Sequence, residues 1–261
     1  MGDELWLHET GDGPIVAVAV HDGHEVREEV GELLALSSEE RLREEDPFTG
    51  EWATAVAPTR VLARRSRFEV DLNRPREEAF YRTPDDAWGM NVWKQPPSDG
   101  LMQRSLEDHD TFYAFLRERL EEVERRSGKF VVLDLHSYNH RREGPDGPPA
   151  DPAKNPQVNV GTGTMDRSRW APLVDRFISD LGSYDFPGGR LDVRENVKFV
   201  GRAIPRFVHE TFPKTGCAIA VEFKKFFMDE WSGRLDRKLH AGIVSALQST
   251  IPGLLETLHA G

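Results

Sequence analysis

Three runs rich in apolar residues mark the strands of a buried sheet. They lie at residues 15–20, 129–138 and 217–221, and the first of them reads IVAVAV. Apolar runs this short are typical of parallel strands that are covered on both faces. Between the first two runs, apolar side chains recur at helical spacing and predict a helix over residues 108–126. A helix between two buried strands predicts a parallel pair with a right-handed crossover.

Weaker patterns predict the other elements of the fold. Further strands are expected at residues 5–8, 59–63, 68–72 and 158–164. Further helices are expected at residues 26–36, 170–181 and 234–247, with residues 251–258 packed as a cap on the sheet. Together the elements predict an α/β fold. It has one domain over residues 1–261, with a mixed, mostly parallel sheet flanked by helices on both faces.

Two segments lack a regular hydrophobic period. Residues 79–97 are rich in aromatic side chains and have prolines near both ends, which predicts an ordered covering loop or a lid. Residues 140–156 are polar and rich in glycine and proline, which predicts a surface loop. Whether either segment closes over a site is left open by the sequence.

Polar side chains follow the three apolar runs at their carboxyl ends. His21 and His24 follow the first run, His136 ends the second, and Glu222 follows the third. The carboxyl ends of parallel strands meet at one edge of a sheet, where α/β proteins bind their ligands. One histidine at a strand end is more often a structural residue, but three imidazoles at the same edge predict a metal site. A carboxylate beside that metal can take a proton from water.

The carboxylates of residues 44–46 form an acidic run just before Pro47. Three adjacent carboxylates are most often a solvated surface, although one of them could reach a metal.

Arginines near the predicted strand ends offer sites for an anionic substrate. Asn73 and Arg74 follow the predicted strand at 68–72, where a guanidinium could bind a carboxylate through two parallel hydrogen bonds. Arg74 could equally be a structural residue paired with Asp71. Arg202, Arg206 and His209 form a locally basic patch that would attract an anion, and an ordinary solvated surface explains the patch equally well.

Composition restricts the partners and the compartment. The formal net charge is -11, which argues against nucleic acid or an anionic membrane as a partner. Cys217 is the single cysteine, which excludes an intramolecular disulfide framework and a thiolate-rich metal site. The chain has no apolar run of transmembrane length and no secretory start, so we expect a cytoplasmic protein.

Four strand-end motifs occur in the order HDGH, DLNR, DLHS and AVEF. In combination they resemble the zinc carboxypeptidase-like superfamily, and the phrases SRFEVDLNRPR and LDLHSY resemble its N-formylglutamate amidohydrolase branch. The resemblance runs from about residue 21 to residue 230. It implies a zinc carboxypeptidase-like fold and one zinc ion per chain, held by His21, His24 and His136. It also implies a carboxylate clamp at Asn73 and Arg74, with Glu222 as the general base and acid.

The chain departs from the superfamily pattern at the second metal ligand. Zinc carboxypeptidases generally have a glutamate where this chain has His24, so Glu25 or a carboxylate of residues 44–46 is an alternative ligand. The implied reaction is hydrolysis of the amide of N-formylglutamate or a related small anionic N-acyl amino acid. Arg67 and Arg206 are the candidates to stabilise the oxyanion.

Two other functions agree with the same residues. One is a zinc carboxypeptidase or an N-acyl amino acid deacylase of different specificity. The other is a metal-free protein that binds acidic amino acids or peptide termini without catalysis.

Overall fold

The computed structural model describes residues 4–260, and within them the strands form one seven-stranded sheet in the order β1-β3-β2-β4-β7-β5-β6. The strands are β1 (Trp6–Glu9), β2 (Ile15–Ala19), β3 (Thr59–Ala63), β4 (Phe130–Tyr138), β5 (Val158–Gly161), β6 (Val193–Glu195) and β7 (Gly216–Lys224). The pairs β3-β2, β2-β4, β4-β7 and β5-β6 are parallel, whereas β1 and β5 pair antiparallel with β3 and β7. The sheet is therefore mixed and mostly parallel, as predicted.

Helices cover both faces of this sheet. They are α1 (Glu28–Leu33), α2 (Ser38–Glu44), α3 (Thr49–Val56), α4 (Asp99–Ser127), α5 (Ala171–Ser183), α6 (Ala203–Thr211) and α7 (Arg237–Ala260). Side chains alternate between the faces along each strand. In β2, Ala17 belongs to a buried cluster that includes side chains of α3, α5 and α7, while Val16 and Val18 belong to a second cluster that includes side chains of α4 and α6. The predicted α/β class and the two helix layers are confirmed.

The three apolar runs of the sequence become the three central strands. β2, β4 and β7 are neighbours, and the register places Val18 beside Asp134 and His136 beside Glu222. The carboxyl ends of these strands lie at one edge because all three run in the same direction. The topology alone therefore brings the polar residues that follow them together.

The predicted strand at residues 68–72 is wrong. Glu69 donates its backbone N–H to Ser66, and Arg74 donates its own to Asp71, so these residues form turns. The alternating side chains of Phe68, Val70 and Leu72 are nevertheless buried in the core on the α4 side of the sheet. Apolar alternation here reports burial and not a ladder of hydrogen bonds.

The last two predicted segments form one helix. α7 continues through Pro252, which has no N–H to give to the helix. The helix continues because its buried face, including Leu247 and Leu254, packs against α3 and α5 on both sides of the proline.

Within the described part of the chain, no helix has the length and apolar character needed to cross a membrane. The cytoplasmic location and the single domain stay predictions.

Candidate metal centre and substrate cavity

Three buried side chains at the carboxyl edge of the sheet form a candidate metal site. His21 lies just beyond β2, His136 lies in β4, and Asp46 follows α2. Among residues 4–260, these three form the group in which one potential ligand atom from each residue lies within 4.8 Å of the others. We call His21, Asp46 and His136 the metal group.

The two imidazoles of the metal group are oriented in the same way. Their Nδ1 atoms lie 3.3 Å and 2.9 Å from Oδ2 of Asp46. Their Nε2 atoms point away from the group, to Asp71 at 2.7 Å from His21 and to Asp134 at 2.9 Å from His136. Metal-binding histidines are typically held by a carboxylate on the second ring nitrogen, which fixes the ring and raises its basicity.

Several carboxylates give this edge a negative potential. Burial on its own would raise the pKa of Asp46, but hydrogen bonds and charge from His136 and His21 hold that pKa well below its usual range. Burial likewise lowers the pKa of His136, yet the charges of Asp134 and Glu222 outweigh burial and raise that pKa well above its usual value. The site is therefore built to stabilise a cation. Two imidazoles and a carboxylate are a donor set that fits zinc.

Glu222 lies in β7 directly beside His136 of β4. Its side chain lines the cavity above the metal group. Burial raises the pKa of Glu222 to about 7, and the negative charges of Asp46 and Asp134 contribute in the same direction. A carboxylate with a pKa close to neutral can both accept and return a proton.

The structure does not bring His24 into the metal group. Its Nδ1 lies 2.5 Å from Oε2 of Glu45, and its Nε2 lies 2.8 Å from the hydroxyl of Ser38. Glu25 is also elsewhere, paired with Arg64 at the surface. The acidic run at residues 44–46 instead supplies the third member, because the backbone N–H of Asp46 donates to the carbonyl of His21.

Asn73 and Arg67 lie at the cavity, and both are held by neighbours. The side-chain amide of Asn73 has Nδ2 3.0 Å from Nε2 of His136, and its Oδ1 accepts from the N–H of Ile204. Arg67 donates to Oδ2 of Asp71 at 2.7 Å. Asn73 therefore joins the metal group to the start of α6.

Arg74 and Arg206 are not among the residues that line the cavity. The guanidinium of Arg74 donates to the carbonyl of Asp86 at 2.7 Å and lies over the ring of Tyr81. Arg206 is exposed on α6. The Nε atom of Arg74 also lies 3.4 Å from Oδ2 of Asp71, so Arg74 makes the structural pair that the sequence left open as an alternative.

The cavity above the metal group measures about 90 Å³. Its lining includes Ser137, Asn139, Arg142, Arg202 and Lys225. Of these, the sequence pointed only to Arg202, as part of a basic patch that would attract an anion. A usable signal existed for two of the others, since Ser137 lies in the strand that carries His136 and Asn139 directly follows that strand. Arg142 comes from a loop whose path the sequence pattern does not predict.

Comparison with known proteins gives one family and several similar folds. The model of the N-formylglutamate amidohydrolase family matches residues 13–228. No curated protein matches the sequence.

Among solved structures, an N-formylglutamate amidohydrolase from Ralstonia eutropha JMP134 has a TM-score of 0.71 and 17% identity, covering 98% of this chain and 97% of that one. A gene product of Agrobacterium tumefaciens has a TM-score of 0.67 and 18% identity, covering 95% and 92%. A metallo-carboxypeptidase from Pseudomonas aeruginosa is more distant, with a TM-score of 0.38 and 15% identity over 97% and 60%. At these identities the first two likenesses concern the fold.

Proposed function

Because the chain belongs to the N-formylglutamate amidohydrolase family, as its motifs predicted, we propose that it hydrolyses N-formylglutamate or a related N-acyl acidic amino acid with one zinc ion. The chain is a hydrolase of the amidohydrolase type. The observation that carries the finer proposal is the orientation of two buried imidazoles toward Asp46, directly beside Glu222.

The metal group would hold the zinc ion. Two neutral imidazoles and one carboxylate leave part of the charge of the ion available to the substrate. When bound, zinc supplies Lewis-acid polarisation of the acyl oxygen and lowers the pKa of water. Asp71 and Asp134 hold the imidazoles in place, so the ligand positions exist before the substrate arrives.

Glu222 carries the proton through the reaction. Its carboxylate removes a proton from the attacking water as the oxygen bonds to the acyl carbon. The protonated side chain then gives that proton to the departing amine nitrogen as the carbon–nitrogen bond breaks. A pKa raised by burial favours both transfers near neutral pH.

Arg67 is the cation we assign to the developing oxyanion. It lines the cavity, and its pKa stays well above its usual value because the charge of Asp71 outweighs the effect of burial. The guanidinium therefore remains charged at every pH of interest, and its hydrogen bond to Asp71 fixes its position.

The test is an assay of protein purified without chelators and supplied with zinc. We expect release of formate and glutamate from N-formylglutamate, loss of turnover after chelation, and recovery on adding zinc. Peptides with free C-termini should react much more slowly, and preference for them would favour a carboxypeptidase. Less than about a tenth of an equivalent of bound zinc, with no gain on adding zinc, would favour a metal-free binding protein.

A further inference from the structure

The cavity is lined by cationic side chains that differ in their partners. Its cations are Arg67, Arg142, Arg202 and Lys225. The first pairs with Asp71, the second makes two hydrogen bonds of 2.8 and 2.9 Å to Glu44, and the last donates to two backbone carbonyls. The guanidinium of Arg202 has no hydrogen bond, ion pair or ring contact within residues 4–260.

The backbone around Arg202 is held firmly although its side chain is not. Asn159 of β5 accepts the N–H of Lys198 at 2.8 Å and donates to the carbonyl of Phe199 at 2.8 Å. Gly201 has a φ of +92°, a left-handed conformation that suits glycine. On the other side, Asn73 accepts the N–H of Ile204. The position of Arg202 is thus fixed relative to β5 and to the metal group.

Two buried polar atoms of the same cavity also have no partner. They are Oγ of Ser137 and Oδ1 of Asn139, and their residues are only 6% and 4% exposed. A buried polar atom without a hydrogen bond is costly unless a ligand supplies the bond. Ser137 and Asn139 line the same cavity as His21, Asp46 and His136, so the unpartnered atoms belong to the cavity that holds the metal group. The cavity is prepared for a polar ligand on this side.

The positions of these groups match the parts of an acidic amino acid. The α-carboxylate of an N-acyl amino acid is attached next to the amide nitrogen, so it must remain close to the metal group. A side-chain carboxylate lies farther from the reacting carbon and reaches toward solvent. Arg202 is exposed, whereas His21 and His136 are buried, which suits the more distant carboxylate.

We propose that Arg202 binds the side-chain carboxylate of the substrate and makes the enzyme select acidic over neutral N-acyl amino acids. This inference rests on the proposed function, since it names the substrate class of the same cavity. Arg202 does not touch the reacting atoms, so its effect should appear mainly in KM. A guanidinium that has no partner before binding also loses no existing ion pair when it binds the carboxylate.

The test compares N-formylglutamate with its neutral isostere N-formylglutamine, using Arg202→Gln and the matched control Arg206→Gln. Arg206 is one turn further along α6, equally cationic and exposed, but outside the cavity lining. We expect Arg202→Gln to lower kcat/KM on N-formylglutamate about 10- to 100-fold, chiefly through KM. Turnover of N-formylglutamine should stay within about threefold, and Arg206→Gln should resemble wild type. Arg202→Lys should recover part of the loss.

A binding measurement separates this inference from the proposed reaction. Calorimetric titration with glutarate should show binding about 10-fold weaker or worse in Arg202→Gln, with Arg206→Gln unchanged. If wild type hydrolyses neither amide but glutarate binding still depends on Arg202, the reaction is wrong and the inference stands. The inference would be overturned if wild type and Arg202→Gln showed the same preference between the two amides. It would also be overturned if wild type did not bind glutarate, or if the variant bound glutarate as tightly as wild type. Thermal unfolding of each variant checks that the fold is retained.

Discussion

Two walls of the same cavity differ in how their polar atoms are partnered. On one wall, each ring nitrogen of His21 and His136 has a carboxylate within 3.3 Å. On the other wall, which we define as Ser137, Asn139 and Arg202, the side chains have polar atoms without partners in the described chain. We call this second wall the open wall.

In the proposed reaction the two walls have different tasks. Groups that hold a metal need the same geometry throughout, so hydrogen bonds from Asp71 and Asp134 that fix them are an advantage. Groups that bind a substrate must be free to exchange water for the ligand, so internal partners would compete with binding. The following predictions test this contrast in order of decreasing effect on turnover.

The largest effect is expected from removing the carboxylate of the metal group. Asp46→Ala should lower zinc affinity and turnover by more than about 100-fold, because even residues that only support a metal ligand contribute about 10- to 100-fold. The matched variant His24→Ala should keep its zinc and most of its activity. Metal analysis after dialysis measures both. Loss of zinc from His24→Ala with retention in Asp46→Ala would return His24 to the ligand set.

Glu222→Gln should lower kcat by about 100- to 10,000-fold while the protein keeps its zinc. The amide has nearly the same shape as the carboxylate but cannot accept the proton from water. Glu210→Gln, an exposed substitution on α6, is the control and should be close to wild type. Activity within a few-fold of wild type in Glu222→Gln would remove this residue from the proton transfer.

Asp134→Asn tests whether the fixed partners of the imidazoles matter. Asp134 lies 2.9 Å from Nε2 of His136, and the isosteric amide keeps the shape but loses the charge. We expect zinc affinity about 10- to 100-fold weaker in competition with a chelator, with turnover restored at high zinc. Asp185→Asn, exposed beyond α5, serves as the control. Unchanged zinc affinity in Asp134→Asn would mean that zinc binding does not depend on the carboxylate that holds His136.

The smallest effect on turnover is expected at His209, which anchors the helix that follows Arg202. Burial lowers the pKa of His209 to about 4 from its ordinary 6.5, and its Nε2 accepts the N–H of Ala218 at 3.0 Å. The imidazole of His209 therefore takes up a proton at a higher pH in the unfolded chain than in the folded protein. The contribution of neutral His209 to the free energy of unfolding is complete above about pH 6.5. About 3 kcal/mol of it is lost as the pH falls toward 4 and below.

Urea unfolding at several pH values checks this prediction against His209→Gln. The free energy of unfolding should fall more steeply with acid in wild type than in the variant, and turnover of the variant near pH 7.5 should stay within about twofold. Identical pH dependence in the two proteins would show that His209 is not a neutral anchor of α6.

The sequence pattern predicted the central strands and the residues at their ends for a local reason. Short apolar runs bounded by turn residues are typical of strands covered on both faces, and a helix between two of them predicts a parallel pair. The positions of His21, His136 and Glu222 at one edge followed directly. The motifs also identified the family, which the family model confirms.

The third member of the metal group could not be chosen from the sequence. Glu44, Glu45 and Asp46 are adjacent, yet the first pairs with Arg142 and the second with His24. Asp46 alone among the three contacts the imidazoles of His21 and His136, and its backbone N–H donates to the carbonyl of His21. Which of three neighbouring carboxylates points inward depends on the path of the loop, and that path is fixed by contacts distant in sequence.

The arginines show the same division between pattern and tertiary structure. The sequence by itself determined the central strands, their shared edge and the residue types available there, since hydrophobic periodicity is a local property of the chain and a helical crossover makes successive strands parallel. Only the tertiary structure decided that Arg74 turns toward Asp86, that Arg67 pairs with Asp71, and that Arg202 remains free at the cavity within the part of the chain described. The direction of a long charged side chain depends on which partners the folded chain places within its reach, and a linear pattern carries no record of those distances.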